Sequence, residues 1–320
     1  MNIFKFIIKR LIEAIPVLIV VSILSFFIIR LSPSDPLSEM RLNPAISQET
    51  INYEIKRLKL DKPIYVQYFY WMKGFIKGDL GYTTNGEKVS QKLKERIPNT
   101  LLLSVVVIFF TWTMGIPLGI LAASNQNKPL DKTIIIISTI GMAIPSFFLA
   151  LLFLMFAVKT GVFPVGGLTS YNFSNMSFLN KLFDIAHHIF LPALTLIIIS
   201  LSSIVRQMRG NLLDVLNSDY LKFAKAKGLS NFKILYKHAL RNALNPMISL
   251  LGFEFASLLS GAALTEYVFQ YPGLGRLILE AVLRTDTNLI MASLMLGTIM
   301  LIVGNLIADI LLKLLDPRIN

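Results

Sequence analysis

The chain has 320 residues, 54% of them apolar, with a mean hydropathy of +0.63 and a net charge of +12. Long apolar runs separated by charged segments exclude a soluble domain and describe an all-α, polytopic membrane protein. The chain contains no cysteine, which excludes a disulfide or a thiolate metal site and fits either side of a membrane.

Hydropathy predicts six spans, over 11–31, 100–123, 133–158, 189–205, 246–266 and 288–312. The first follows Lys5, Lys9 and Arg10, is too long for a signal-peptide core and lacks a small-residue cleavage site, so it is expected to remain as an anchor. With the N-terminus inside, the short cytoplasmic segments hold about 15 Lys and Arg against about 4 in the two short outer loops, so the expected orientation is N-in and C-in. The basic surplus is then a topology signal, and nucleic acid is not indicated as a partner.

The outer segment 32–99 opens on a turn, SPSDP, followed by a solvated helix from Pro44 to Leu60. Pro63–Lys77 reads as an aromatic amphipathic helix at the interface. GYTTNGEK over Gly81–Lys88 imitates a phosphate loop, but Glu87 stands where the lysine belongs and no apolar strand precedes it. In the second span, Gly115 and Gly119 around Pro117 form a small-xxx-small pattern with a kink, read as close packing or as a flexing point. Pro145 in the third span carries the same ambiguity. His187-His188 is not an HExxH motif, so no metal site is expected there, and nothing in the chain calls for a cofactor. Arg206 and Arg209, closing the fourth span, are expected to meet lipid phosphates or helix C-terminal carbonyls.

Ser218–Pro246 is a basic island that reads as two short helices around a tight turn. Ser218 or Asn217 caps the first helix, Asp219 lies in its first turn, Lys225 and Lys227 lie in its last, and Gly228 supplies the left-handed terminator. Ser230 caps the second, and Asn245-Pro246 opens the fifth span. A first helix of about nine residues, roughly 13 Å long, is too short to hold alone in water. Its support is either anionic lipid or a protein groove that receives Tyr220, Phe223 and Ala224. In the fifth span, Glu254 lies roughly 12 Å past Pro246, where a charge costs on the order of 3 kcal/mol or more. It either lines a translocation path, attracting a cationic or amino-terminal group, or is neutralised or bonded to a polar neighbour such as Asn305. Ser260–Ala263 reads as close packing against a second subunit. Asp309 and Lys313 stand at ion-pair spacing.

The string AKAKGLS, with HALRNALNP about ten residues on, resembles the coupling loop of ABC import permeases in the form carried by the peptide and nickel branch. The general Glu-Ala-Ala is here Lys222, Phe223 and Ala224, and the later Ile-x-Leu-Pro is His238, Ala239, Leu240 and Arg241. LDKPIYVQYFYWMKGFIKGDLG followed by RIPNTLLL is similar to the segment before the second span in that branch. TEYVFQYPGLG, with Glu266, Pro272 and Gly273, resembles its outer turn, read as a buried tethered turn or a gate. Asp316-Pro317-Arg318 resembles the family ending.

The resemblance implies a single transmembrane domain over 1–320, with a first span, an extracytoplasmic segment and a five-helix core over 100–312. Its coupling loop, 206–245, then takes the groove reading. Asp219, Tyr220, Lys222, Phe223, Ala224, Lys225, Ala226, Gly228, His238 and Arg241 meet an ATPase, while Glu254, Glu266, Pro272, Gly273 and Asn305 line the path or gate. Implied partners are a second homologous permease, two ABC ATPases and an extracytoplasmic substrate-binding protein, with ATP hydrolysis on the ATPases and none by this chain. The implied cargo is dipeptide or oligopeptide, and alternatively nickel, a metallophore or glutathione. From another class, an ion-driven carrier would require several deep carboxylates and an inverted repeat, of which only Glu254 is present.

Overall fold

A computed structural model describes residues 3–31, 37–42, 44–57 and 59–315. The SPSDP turn and Asp316-Pro317-Arg318 lie outside these residues. Among the described residues every extended element is a helix, and the one β-bridge joins Tyr82 to Lys88 across the GYTTNGEK turn. In hydrocarbon, where no water satisfies backbone groups, helices are the economical solution for so apolar a chain.

The first helix, α1, runs over Ile3–Leu31 and is followed by α2 (Ser38–Leu42), α3 (Gln48–Arg57) and α4 (Ile64–Ile76). The aromatic face of α4 closes on α1: Phe26 is buried, 5.5 Å from the Tyr68 ring and 6.0 Å from Trp71. Ser22 and the Tyr68 hydroxyl share a hydrogen bond of 2.8 Å. Tyr65, Phe69 and Tyr70 remain exposed on the other face.

The core begins with α5 (Val89–Ser124), then α6 (Pro129–Ala143) and α7 (Ser146–Thr160). The third predicted span is not one helix. Ile144 is extended before Pro145, whose ring disfavours helix at the preceding residue, and α6 and α7 diverge by 92°. The next helix, α8 (Phe178–Leu216), has 39 residues, about 58 Å at the helical rise and far more than the predicted 189–205. A short α9 (Asp219–Ala226) and α10 (Asn231–Lys233) follow. Through a π-helical stretch, Ile234–Ala239, α10 passes into α11 (Leu240–Gly261) without a break. Pro246 therefore sits inside a helix instead of opening one. The chain ends with α12 (Ala263–Val268), α13 (Leu274–Leu283) and α14 (Thr287–Leu315). Among the described residues, α1, α5, α8 and α14 each carry a stretch long and apolar enough to cross a membrane, and α6 with α7 does so as a bent pair.

Glycines set the helix spacing. A Cβ on Gly115 would fall 2.7 Å from Ile204, one on Gly119 2.6 Å from Met208, and one on Gly252 2.7 Å from Asn305 Oδ1. So α5 lies directly on α8, and α11 directly on α14. The small residue Ala263 packs within the chain, against Gly275.

The two ends of the bundle are held by separate polar contacts. At one end, the Thr84 backbone N–H donates to Asp286 (2.8 Å), Asn288 donates to the Tyr82 carbonyl (2.9 Å), and Gly167 donates to the Phe269 carbonyl (3.1 Å). Beside them, Ser170 donates from its backbone and its hydroxyl to Asp184, and His187 meets the Val162 carbonyl, so the paired histidines pin a loop. At the other end, Arg10 reaches Asp309 at 3.0 Å. Lys313 lies over the Phe6 ring, 4.7 Å away, so the expected Asp309–Lys313 pair gives way to Arg10. Here too Arg209 binds Asp131 through two bonds of 2.6 and 2.8 Å, a protein partner in place of the expected lipid or carbonyls.

Candidate functional site

Three groups of residues carry the chemistry, and the first is the basic hairpin. Ser218 takes the N-cap position of α9, but its hydroxyl donates backward to the Val215 carbonyl and caps nothing. Asp219 pairs with Lys222 at 2.9 Å on an exposed face. At the far end Gly228 has φ +81°; its N–H donates to the Lys225 carbonyl and the next N–H, of Leu229, donates to Ala224. This is the Schellman arrangement, and the positive φ makes glycine the fitting residue there. Leu221, unremarked in the sequence, anchors α9: it is 2% exposed, in a cluster with Ala123, Met208, Leu212 and Ile234.

With that anchor in place, the aromatic residues turn outward. Phe223 is 62% and Phe232 70% exposed, with Tyr220 and Tyr236 near half. The Tyr236 ring packs on Phe232 at 4.6 Å, Lys227 covers Phe223 at 4.7 Å, and the Tyr220 hydroxyl accepts from Asn242. Lys222, Lys225 and Ala226 share this exposed surface, Ala224 is half-buried, and His238 lies in the π-helical stretch with Arg241 one turn on. Such an exposed apolar and basic face suits a groove on a partner.

The second group is a corner that the sequence presented as two separate signatures. RIPNT, at the start of α5, and TEYVFQYPGLG meet here. Glu266 is fully buried, accepting from the Thr100 hydroxyl (2.9 Å) and the Arg276 backbone N–H (2.9 Å). Its carboxylate thus sits at the amino end of α13, where N–H groups are free and the helix dipole favours an anion. Thr100 also accepts from the Leu274 N–H at 2.6 Å. Asn99 donates to the Pro272 carbonyl at 2.7 Å, and Tyr271 donates to the Asn99 carbonyl at 2.8 Å. Burial, with the Glu266 carboxylate beside it, holds the Tyr271 proton well above the ordinary phenol range. Gly273 leaves space for this carboxylate, since a Cβ there would lie 2.2 Å from Glu266 Oε1. Thr100, Asn99 and Tyr271 were missed by sequence reasoning, although each falls inside a string already singled out.

The third group surrounds Glu254, in a cleft of about 340 Å³ between α8, α11 and the end of α6. Ser200, Ser203, Gln207 and Ser257 line it with Glu254. The partner of Glu254 is Trp112 on α5, which donates from Nε1 at 2.5 Å, and not Asn305. Asn305 stands instead at the crossing of α11 with α14. Among the described residues no set of three His, Cys, Asp or Glu is arranged to hold a metal.

Comparison with known proteins covers both parts of the chain. Residues 115–320 match the family described as binding-protein-dependent transport system inner membrane component, and residues 3–105 match its membrane-component N-terminal family. The oligopeptide transport system permease protein AppB of Bacillus subtilis is 39% identical over 318 residues, covering 98% of this chain and 99% of the relative. OppB of Haemophilus influenzae, an oligopeptide permease, is 36% identical with 99% of each chain covered. DppB of Escherichia coli, a dipeptide permease, is 33% identical, covering 99% of this chain and 98% of its own. The chain is a membrane protein and belongs to the inner membrane components of binding-protein-dependent transport systems, alongside their peptide transport permeases.

Proposed function

We propose that this chain is one permease subunit of an ATP-driven importer that carries dipeptides or oligopeptides across the cytoplasmic membrane. The observation that carries the reading is the hairpin: a lever anchored to the bundle by Leu221 and closed by the Gly228 turn, with aromatic residues facing outward. Full-length relatives named for peptide transport supply the cargo class.

In this reading the chain crosses the membrane six times with both termini inside. The Arg10–Asp309 contact supports an even number of crossings, because it brings the start of α1 beside the end of α14. A second, homologous permease completes the path, two ATPase subunits engage α9 and its surroundings, and a binding protein delivers cargo to the face formed by α4 and the outer corner. ATP binding and hydrolysis on the partners drive the hairpin as a rigid body, and α11, continuous with it through the π-helical stretch, transmits the motion past Glu254 to α12. The corner of Glu266, Pro272 and Gly273 acts as the outer end of the gate, and Asn305 as part of the α11–α14 contact that the motion bears on.

The test is purification of the tagged chain in mild detergent with its natural partners, followed by ATPase and reconstituted uptake assays using peptides, nickel and glutathione. A second permease and ATPases in fixed ratio, with ATP-dependent peptide uptake, is the expected result. Recovery of the chain alone, with uptake driven by an ion gradient, would establish a carrier.

A further inference from the structure

We propose that Glu254 is an ammonium-recognition site in the translocation path, held in place by Trp112 and serving the cationic group of a peptide in passage; this rests on the peptide-permease reading. A carboxylate offers about four acceptor positions, and Glu254 accepts a hydrogen bond from Trp112 Nε1. Among the described residues no Lys, Arg or His is paired with it, and the residues lining its cleft include no base. Asp131 and Asp309, in contrast, each have an arginine at 3.0 Å or less.

A carboxylate at membrane depth without a counter-charge is costly and calls for a cation from elsewhere. Its surroundings are fitted to one that carries several N–H donors. Ser200, Ser203 and Ser257 add hydroxyl acceptors and Gln207 an amide to the same cleft, while Phe253 and Leu250 give it an apolar wall. This mixture receives a solute with an ammonium group and carbon chain better than a bare metal ion, which would require more oxygen ligands closing around it. Trp112 also fixes the carboxylate from the α5 side and leaves its remaining acceptor positions for the cleft. It is a positioning residue: its indole touches Glu254 and contributes no charge.

The experiment uses the complete importer in proteoliposomes, with wild type, Glu254→Gln, Glu254→Asp and Trp112→Phe. Uptake is compared for three peptides of equal length: one carrying Lys, the same peptide with Nε-acetyl-lysine, and that second peptide with its amino terminus acetylated as well, so that no ammonium group remains. Affinity of each for the isolated binding protein is measured separately, so that selectivity there is divided out. Loss of a charge-assisted contact predicts that Glu254→Gln lowers uptake of the lysine peptide about tenfold relative to the acetyl-lysine peptide. Glu254→Asp retains most of the preference, and Trp112→Phe loses part of it.

If both free-amino-terminus peptides fall together and the doubly blocked one does not, the α-ammonium group is the ligand and the proposal stands for that source. Unchanged ratios among all three peptides between wild type and Glu254→Gln overturn it, whether uptake stays the same or falls equally for all three. Failure of the wild type to take up any peptide overturns the permease reading itself and is distinct from either result.

Discussion

Gly273 has no room for a side chain because the Glu266 carboxylate occupies that space. Here a close approach, and not a positive φ, demands glycine. Gly273→Ala forces the carboxylate away from the Arg276 N–H and the Thr100 hydroxyl, leaving buried polar groups without partners. The expected cost is about 2–4 kcal/mol, read as a lower midpoint of thermal unfolding in detergent. Glu266→Ala should match it, whereas Glu266→Gln keeps one acceptor oxygen and should cost less. Equal midpoints for Glu266→Ala and wild type would mean that the tether is slack. Glu266, Pro272 and Gly273 were legible as a motif. Their counterpart was not, because Thr100 lies 166 positions away and nothing local distinguishes it from other threonines at the start of a span. Trp112 escaped notice for a related reason: within an apolar run an indole reads as lipid-facing bulk until its N–H is seen to meet Glu254.

The elements show the same division. Hydropathy located the apolar centres but not the helix ends, since it detects lipid and helices continue beyond it. Lys92, Lys94, Glu95 and Arg96 all belong to α5, and α8 exceeds its apolar centre at both ends. The α6–α7 break was written in Pro145, but a kink and a 92° corner have the same sequence. What ties the elements is polar and distant. Asp131 in the first turn of α6 is 2% exposed, accepts from the Asn127 N–H and holds Arg209 of α8. Asp131→Asn or Arg209→Gln should each destabilise the protein by about 2 kcal/mol, and the double variant by less than the sum. Additive losses would show that the two residues do not act as a pair.

At the hairpin, Gly228→Pro removes the N–H that ends α9 and cannot adopt φ +81°, while Phe223→Asp puts a charge on the outward face. Both variants should insert normally. Partner-stimulated ATPase activity and uptake should fall at least about tenfold, as expected when an anchor is lost from an interface core. Unchanged activity in Phe223→Asp would place the partner on some other surface.

For the whole molecule, the decisive property is sidedness, and the absence of native cysteine makes it directly measurable. Asn85, Lys128, Tyr171, Lys227 and Arg284 are all exposed, one in each of the five turns that the proposed six crossings require. Replaced singly by cysteine and treated in intact cells with a membrane-impermeant maleimide, positions 85, 171 and 284 should label, and 128 and 227 should label only after permeabilisation. Positions 171, 227 and 284 separate the proposed six crossings from a simpler count. If only α1, α5, α8 and α14 crossed, 171 would be protected and 227 would label. If α6 and α7 crossed together but α11 did not, 284 would be protected. The contacts already weigh against that last arrangement, because Thr84 and Asp286 share a hydrogen bond and their neighbours 85 and 284 therefore belong to one side. Labelling of 227 from outside would remove the hairpin from the ATP-bearing compartment and with it the coupling role. Protection of 227 together with labelling of 284 leaves α11 running from the lever, through the π-helical stretch, toward the outer corner, with Glu254 between them.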